Sequence, residues 1–433
     1  MLLEFRMKNF KSFKEEIIFK MQSAPIKDLE YSLITKTIKG KEIKALPTSV
    51  IYGPNASGKT NLIGGMEVLR AIVLKGSIFN NENFSCPNFA VDKLELIPNV
   101  DSDKNKSIEF GIKFIVNELL IDYSLAINIG EFLDLNYDRK ITSEILYINE
   151  KMIYERRDNN VQFGKDNEIK EFLIENFSKS VLENISVNLD SKELFLNGIF
   201  KTLYSKKLYD IIINWFKDKF MIIYHADKMS ISPIIDDYDK NKKYYINKNL
   251  NNILKEFGLS SEKIGYPLNK DEEHTIPLSF IKTNNKQVVL PSEFYESFGT
   301  LRFLNIFPII LSILNDGATL VMDELDASIH PMAIMSIIKI FHNNEINIKG
   351  AQLIFNTHNP IFLNNTLFRR DEIKFVEKED KRSTLYSLSD FKTNGKNGVR
   401  NSEDYMKNYF INKYGAIKNI DFSEYLKNME DGK

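Results

Sequence analysis

The hydrophobic positions along this chain change their spacing from segment to segment, and the spacing predicts the elements. Residues 49–52 form a short apolar run typical of a buried strand, whereas residues 61–74 carry apolar side chains at helical spacing. Two later apolar runs, 318–322 and 351–355, also predict buried strands, and polar residues follow each of them at once. Buried strands interspersed with helices are typical of α/β proteins, so we predict an α/β core.

Short segments of alternating apolar and polar residues predict antiparallel strands elsewhere in the chain. Residues 2–7 and 16–21 predict a hairpin around the polar turn at residues 9–13, the N-terminal loop. Residues 27–45 are strongly polar and predict a connecting hairpin or loop. Between residues 91 and 155, alternating segments are separated by Asn, Asp and Gly, which predicts an antiparallel sheet.

Helical spacing returns between residues 168 and 220, and we expect a mainly helical lobe that extends to about residue 300. Residues 236–252 are rich in Asp, Lys and Asn and predict a loop, and residues 401–420 predict an amphipathic tail. These patterns divide the chain into four parts. Residues 1–165 form a first lobe with the core and the antiparallel sheet, and residues 166–305 form a mainly helical lobe. Residues 306–400 return to the core, and residues 401–433 form a tail.

The composition narrows the class of protein. The 433 residues are 43% hydrophobic, ample for a core, and the formal net charge of −1 gives no overall attraction to nucleic acid or to a membrane surface. The single cysteine excludes a disulfide framework. The charged N-terminus does not resemble a signal peptide, and the longest apolar run, 303–314, is interrupted by Asn305 and Pro308. That run is too short to span a bilayer, so we expect a cytoplasmic protein with no membrane contact.

The polar residues between the strand at 49–52 and the helix at 61–74 match G-x-x-x-x-G-K-[ST], the phosphate-binding loop. Backbone N–H groups of such a loop, and the helix N-terminus after it, surround phosphate oxygens. Lys59 would reach the β- and γ-phosphates, and the Thr60 hydroxyl would bind Mg²⁺. The pattern predicts that ATP and Mg²⁺ are bound by Gly53, Asn55, Ala56, Ser57, Gly58, Lys59, Thr60 and Asn61.

Candidate catalytic residues follow the two later strands. Asp323 is placed to orient Mg²⁺, and Glu324 is a candidate general base for the attacking water. His358 would hydrogen-bond the γ-phosphate. Each residue type also has a structural interpretation, since an acidic pair after a strand often caps a helix and a histidine at a strand end is more often structural. The order of the motifs along the chain favours the functional interpretation.

A further motif, Ser-x-Gly-Thr at residues 297–300, lies between the phosphate-binding loop and the acidic pair. This order of motifs resembles that of the ABC-type ATPases of the SMC and RecF kind. The resemblance implies an ABC-type head: a phosphate-loop α/β core, an antiparallel β-subdomain and a helical lobe that carries the Ser-x-Gly signature. It also implies a homodimer or higher homo-oligomer with shared ATP sites, in which the signature residues Ser297 and Gly299 reach the γ-phosphate held by the other copy. It places Asp326 at that interface and Lys11 and Ser12 near the nucleotide.

Several segments are also similar to those of bacterial OLD-like ATPases, labelled AAA, from abortive-infection and anti-phage systems. The matching segments are Asn-Phe-Lys-Ser-Phe at 9–13, Ser-Glu-Ile-Leu-Tyr at 143–147, Glu-Ser-x-Gly-Thr at 296–300, Asp-Glu-Leu-Asp-x-Ser-x-His-Pro at 323–331, Thr-His-Asn at 357–359 and Tyr-Gly-Ala at 414–416. This group includes the ATPase subunits of PARIS defence systems. The resemblance implies a defence ATPase that controls a separate effector, a Toprim-type nuclease or a toxin.

Two features depart from the pattern of these families. OLD proteins carry a C-terminal Toprim nuclease, whereas the acidic residues after His358 are too few and too close together to build one. We therefore expect any nuclease to be another polypeptide. The Q-loop glutamine of ABC-type ATPases has no clear counterpart after the first helix, and residues 87–89 are the nearest candidate.

Three functions remain open from the sequence. The first is ATP hydrolysis coupled to dimer or oligomer formation in a defence complex. The second is a RecF-like clamp that binds DNA, for which the neutral net charge is unfavourable. The third is a scaffold in which ATP stabilises an assembly with little turnover.

Overall fold

The computed structural model describes residues 1–79, 96–132, 137–164, 189–224, 244–267, 276–284, 286–392, 398–418 and 423. Its strands are β1 (Leu2–Lys8), β2 (Ile17–Lys20), β3 (Ile34–Ile38), β4 (Lys41–Ala45), β5 (Thr48–Tyr52), β6 (Ile108–Val116), β7 (Leu119–Asn128), β8 (Lys140–Ile148), β9 (Lys151–Arg157), β10 (Asn160–Phe163), β11 (Phe220–Ile223), β12 (Tyr244–Tyr245), β13 (Lys263–Pro267), β14 (Leu278–Lys282), β15 (Gln287–Pro291), β16 (Thr319–Met322), β17 (Gln352–Asn356), β18 (Ile373–Glu379) and β19 (Arg382–Ser387). Its α-helices are α1 (Lys59–Lys75), α2 (Lys206–Asn214), α3 (Lys248–Phe257), α4 (Phe298–Asp316), α5 (Pro331–His342) and α6 (Tyr405–Phe410). Single turns of 3-10 helix lie at Glu30–Ser32, Ser292–Phe294, Pro360–Phe362 and Leu388–Asp390, and π-helical segments at Leu196–Tyr204 and Trp215–Lys219.

The centre of the molecule is a six-stranded sheet in the order β11–β16–β17–β5–β18–β19. The first five strands are parallel, and β19 pairs antiparallel with β18. Every residue of β5, β16 and β17 is buried, which explains their nearly continuous apolar runs. The predicted α/β core is confirmed. Because parallel strands end at the same edge, the polar residues after β5, β16 and β17 meet there.

A second sheet, β10–β9–β8–β7–β6–β1–β2, is antiparallel throughout. It confirms both the N-terminal hairpin and the antiparallel sheet predicted from the alternating segments, and it joins them, because β1 pairs with β6 as well as with β2. The polar segment that follows this hairpin is itself a hairpin of β3 and β4.

Helix α1 lies between the two sheets, and α4 and α5 cover the opposite face of the central sheet. One apolar cluster joins α1 to both sheets and includes Met7, Phe110, Leu62, Leu69, Ile51, Val321 and Ile354. A second cluster joins the other face of the central sheet to α4 and α5 and includes Val50, Leu320, Leu353, Ile310 and Ile338. Alternate residues of each central strand therefore face different helices, as the two-residue period of a strand requires.

The region predicted as mainly helical contains more strand than expected in its described residues. β11 joins the central sheet, and β12–β15 form a four-stranded antiparallel sheet beside α3. Helix α3 begins at Lys248, inside the segment predicted as a loop, because the Asn247 side chain accepts a hydrogen bond from Leu250 N at 3.0 Å and caps the helix. Residues 165–188, which carry part of the helical pattern, and the Q-loop candidate at 87–89 lie outside the described residues.

Helix α4 is longer than the apolar run that predicted it. It has 19 residues, which is long and apolar enough to cross a membrane by length and composition alone. Its side chains at Phe303, Ile306, Ile310 and Ile313 are buried against the central sheet, so in this structure α4 is a core helix. The C-terminal tail packs on the same side, where Tyr405, Tyr409 and Tyr414 are buried as the amphipathic pattern predicted, whereas Phe410, which belongs to the same pattern, is exposed.

Candidate functional site

Residues 53–58 form a tight loop between β5 and α1. Gly53 and Gly58 have φ of +156° and +116°, a region that glycine adopts more readily than other residues. A Cβ atom at Gly53 would lie 2.2 Å from the Val376 carbonyl oxygen, and one at Gly58 would lie 2.8 Å from the Ser12 hydroxyl oxygen. In the described structure no side chain caps the start of α1. Its first N–H groups are therefore available to an anion.

Lys59 is the first residue of α1 and is only 5% exposed. Its Nζ atom donates to the carbonyl oxygens of Gly53 at 2.7 Å and Pro54 at 3.0 Å. Burial lowers the pKa of this amine to about 8, while the charges of Asp323 and Glu324 partly oppose the shift. Within the described residues, the buried hydroxyl of Ser57 has no hydrogen-bond partner. A buried cation and a hydroxyl without a partner, both next to free helix N–H groups, fit a bound polyphosphate.

The N-terminal loop lies against the phosphate-binding loop, as the resemblance implied for Ser12. Asn61 Nδ2 donates to Ser12 Oγ at 2.9 Å, and the Ser12 carbonyl oxygen accepts from Ser383 N at 2.7 Å. Ser383 Oγ in turn donates to the Ser57 carbonyl oxygen at 2.5 Å. The Lys11 carbonyl oxygen accepts from Asn99 Nδ2 at 2.8 Å, and its ammonium lies 5.5 Å from the centre of the Phe10 ring. Ser12 thus contacts the loop, whereas Lys11 is held by neighbouring segments.

The metal-binding candidates Thr60 and Asp323 are brought together at the edge of the central sheet. Thr60 Oγ1 donates to Asp323 Oδ1 at 3.4 Å, and the Asp323 side chain is 6% exposed. Hydroxyl and carboxylate oxygens are ligands that Mg²⁺ prefers, so the pair fits this ion. Asn356, the last residue of β17, donates from Nδ2 to the same Asp323 Oδ1.

Glu324 follows Asp323 and is exposed, as a base that meets a substrate water needs to be. Its backbone is left-handed, with φ of +51°, which is uncommon for a residue other than glycine. Both polar groups of its backbone are bound: Glu324 N donates to Asn356 Oδ1 at 2.6 Å, and its carbonyl oxygen accepts from Arg302 Nη2 at 2.7 Å. The surrounding side chains therefore hold the strained conformation in place.

Asp326 and His358 flank this acidic segment. Asp326 Oδ2 accepts from Thr357 Oγ1 at 2.7 Å. Burial raises the pKa of the Asp326 carboxyl, and the Thr357 hydrogen bond opposes the shift. His358 is exposed at the end of β17. Partial burial and the nearby Lys59 charge lower its pKa, which favours a neutral ring that can act as a hydrogen-bond acceptor or donor.

The signature residues lie at the start of α4, in contact with the acidic segment. Ser297 is the N-cap, and its Oγ accepts from Thr300 N at 3.1 Å. A Cβ atom at Gly299 would lie 2.5 Å from the Ser328 carbonyl oxygen. The preceding Glu296 is buried and accepts hydrogen bonds from Ser260 N at 3.0 Å and Ser261 N at 3.1 Å. Glu296 also accepts from Ser279 Oγ of β14 at 3.1 Å, so the signature is fixed to the four-stranded sheet on one side and to the acidic segment on the other.

Three contributing residues were not found from the sequence: Asn356, Arg302 and Ser383. Asn356 directly precedes the Thr-His-Asn segment, so its place at the end of a core strand was a signal that could have found it. Arg302 is the sole basic side chain in the apolar helix α4 and is 7% exposed, which is unusual for arginine. Ser383 has no local signal, because it reaches the loop only through the pairing of β19 with β18.

The chain matches one protein family over most of its length. Residues 49–364 match the family described as "AAA domain, putative AbiEii toxin, Type IV TA system", which is well over half of the sequence. The chain belongs to this family. The matched part of the AAA domain contains the phosphate-binding loop, the signature, the acidic pair and His358, whereas Lys11 and Ser12 precede it. A P-loop ATPase class, predicted from the motifs, is confirmed.

No curated protein matches the chain. Among solved structures, the AAA domain is similar to the Smc head domain from Pyrococcus furiosus, with an extended coiled coil, bound to the C-terminal domain of ScpA. The two are 11% identical, the match covers 89% of this chain and 96% of that one, and the TM-score is 0.39.

Proposed function

We propose that this AAA domain binds ATP with Mg²⁺ at residues 53–60 and hydrolyses it. The observation that supports the proposal most strongly is the contact of Thr60 Oγ1 with Asp323 Oδ1, at 3.4 Å, with Glu324 next in the chain. In phosphoryl transfer, a hydroxyl and a carboxylate of this kind bind the metal ion, and a neighbouring carboxylate activates the attacking water. They come from two segments that are far apart in sequence and meet only because β5 and β16 end at one edge of the sheet.

Each residue has a role that its position supports. Lys59 exchanges its bonds to the Gly53 and Pro54 carbonyls for bonds to phosphate oxygens. Thr60 and Asp323 hold Mg²⁺, which when bound offsets the negative charge of the phosphates. Glu324 takes the proton of the attacking water, and His358 hydrogen-bonds the γ-phosphate as the water attacks.

Phosphate release and ATP binding by single variants test this proposal. We expect Lys59→Ala to lose both ATP binding and hydrolysis, because the buried cation is removed. Glu324→Gln should bind ATP as wild type does and hydrolyse it about 10²–10⁴-fold more slowly, the usual effect of a positioned base. The exposed Glu345 offers a matched control, and Glu345→Gln should hydrolyse ATP at the wild-type rate. Wild-type hydrolysis by Glu324→Gln would contradict the assignment of the base.

We propose further that ATP joins two copies of the chain, and that this assembly controls a separate effector in the cytoplasm during anti-phage defence. Support comes from the motif order and from the similarity of the quoted segments to AriA, the ATPase subunit of PARIS systems, which works with the nuclease AriB. The mass of the tagged complex from its host, with and without ATP, tests it. We expect a nuclease or toxin that stays bound or is released according to nucleotide. A homodimer that carries duplex DNA would instead favour the RecF-like DNA clamp.

A further inference from the structure

The side chain of Asn356 makes two hydrogen bonds that belong to different parts of the proposed reaction. Its Nδ2 atom donates to Asp323 Oδ1, and its Oδ1 atom accepts from Glu324 N at 2.6 Å. Asn356 is 1% exposed, so water cannot readily replace either partner. One amide thus connects the metal-binding carboxylate to the backbone of the candidate base.

The first of these bonds conflicts with a bound metal. The oxygen that accepts from Asn356 is the same Asp323 Oδ1 that lies 3.4 Å from Thr60 Oγ1, on the side where the two candidate Mg²⁺ ligands face each other. A divalent cation there draws electron density from Oδ1 and repels the partly positive NH₂ group of the amide. The amide is rigid and planar, so a displaced Nδ2 moves Oδ1 as well. The bond to Glu324 N must then change.

The Glu324 peptide is sensitive to such a change because it is held from both sides. Its N–H bonds to Asn356, its carbonyl oxygen accepts from Arg302 Nη2 at 2.7 Å, and its φ of +51° needs external support. Loss of the Asn356 bond releases the N–H, while the carbonyl oxygen keeps its bonds from Arg302 Nη2 and from Ala327 N at 3.2 Å. Metal occupancy at Asp323 is thereby connected to the freedom of the Glu324 backbone.

We propose that Asn356 is a positioning residue that couples Mg²⁺ binding at Asp323 to the placement of Glu324. In the metal-free state it holds Glu324 in its left-handed conformation and occupies Asp323 Oδ1. When Mg²⁺ binds with the nucleotide, the amide leaves Oδ1 and releases the Glu324 N–H, so the base becomes free to move toward the water. Coupling of this kind is reciprocal, and Asn356 therefore also weakens Mg²⁺ binding. The inference rests on the proposed ATP site.

Hydrogen exchange at residues 319–330 tests the coupling without any need for hydrolysis. With ADP and no Mg²⁺, the Glu324 N–H of the wild type should exchange slowly, and addition of Mg²⁺ should accelerate its exchange about tenfold, the effect of one lost hydrogen bond of this type. In Asn356→Leu, exchange should be fast in both conditions. In the same variant, the Mg²⁺ concentration at which fluorescent ADP binding is half-maximal should be about three- to tenfold lower than in the wild type.

Asn347→Leu is the matched control. Asn347 is 4% exposed and makes hydrogen bonds to the backbone of Phe341 and Ala351, away from the phosphate-binding loop. Its replacement should lower the thermal stability but leave the exchange at residues 319–330 and the Mg²⁺ midpoint unchanged. If Asn356→Leu behaves like this control, the coupling is refuted although ADP still binds. If ADP does not bind to the wild type at all, the proposed ATP site itself is wrong.

Asn356→Asp keeps the test valid if the leucine variant does not fold. The new carboxyl still accepts from Glu324 N; without metal it shares one proton with Asp323, because two carboxylates in contact cannot both be ionised, and a cation displaces that proton and not the side chain. Exchange of the Glu324 N–H should therefore stay slow with and without Mg²⁺. If Mg²⁺ accelerated exchange of the Glu324 N–H in this variant as much as in the wild type, the proposal would be overturned, because the effect would not depend on the NH₂ group.

Discussion

Lys59 combines two properties that oppose each other: it must be protonated to attract phosphate, and burial disfavours the protonated form. Its pKa is lowered to about 8, and the neighbouring charges of Asp323 and Glu324 only partly offset the effect of burial. Bound phosphates bring additional negative charge close to Nζ and raise this pKa again. Nucleotide binding and proton uptake by Lys59 are therefore linked.

This linkage predicts that ATP affinity depends on pH. Below a pH of about 8 the free protein already carries the Lys59 proton, so affinity is constant; above it, binding requires proton uptake, and the affinity falls by up to about tenfold per pH unit. Calorimetric titration with ATP from about pH 7 to about pH 9.5, in buffers of different ionisation enthalpy, measures both the affinity and the uptake. Lys59→Arg should show no such fall, since guanidinium keeps its proton. Constant wild-type affinity up to pH 9.5 would refute the linkage.

The sequence motifs predicted those site residues whose role is determined by their place at the end of a strand or the start of a helix. The phosphate-binding loop, Asp323 and Glu324 follow strands that could be identified from their apolar runs. Asn356 had only its place at a strand end as a signal, whereas Ser383 acts through a contact between segments far apart in sequence, which leaves no local pattern. The strain at Glu324 also has no sequence signal, because a glutamate seldom adopts a positive φ.

Among the elements, α4 connects the signature to the acidic segment through two backbone contacts. Gly299 lies against the Ser328 carbonyl, and Arg302 binds the Glu324 carbonyl one turn later. Residues 324–328 are held on their other side by Asn356 and by the Thr357–Asp326 hydrogen bond. A displacement of α4 therefore changes the surroundings of the candidate base.

Gly299→Ala should interfere with this contact. The new Cβ would lie 2.5 Å from the Ser328 carbonyl oxygen, so the backbone must shift. We expect a loss of about 1–3 kcal/mol in the free energy of unfolding and slower hydrolysis, with ATP binding nearly unchanged. Gly198→Ala is the control, since its Cβ meets no atom within 4 Å, and it should be neutral or slightly stabilising. Denaturant unfolding and phosphate release measure the two effects, and wild-type values for Gly299→Ala would show that the contact has no such role.

The elements themselves were predictable where the hydrophobic period was clear. Buried strands, α1 and the alternating strands of the antiparallel sheet all follow from their patterns. The four-stranded sheet was missed because β12 has two residues and β14 and β15 have five each, too short to establish an alternation beside helical segments. The described contact with α3 comes from β13, where Asn251 Oδ1 accepts from Ile264 N at 2.6 Å.

For the whole molecule, the arrangement of layers places the candidate ATP site at one edge of the central sheet and the signature beside it on α4. Ser297 and the adjacent Phe298 are exposed, and Phe298 retains 65% of its accessible surface. Ser297 Oγ caps α4 through Thr300 N, and the exposed ring of Phe298 lies next to it at the start of the helix. The proposed function requires a composite site, in which this signature reaches the ATP held by a second copy of the chain.

Mixing two inactive variants tests this composite site most directly. Lys59→Ala lacks the phosphate-binding cation but has an intact signature, and Ser297→Arg has an intact loop but a blocked signature. If two copies share each site, neither variant hydrolyses ATP alone, while their mixture forms heterodimers with one complete site and recovers up to about a quarter of the wild-type rate of phosphate release. A mixture as inactive as its components, or wild-type hydrolysis by Ser297→Arg alone, would contradict the account.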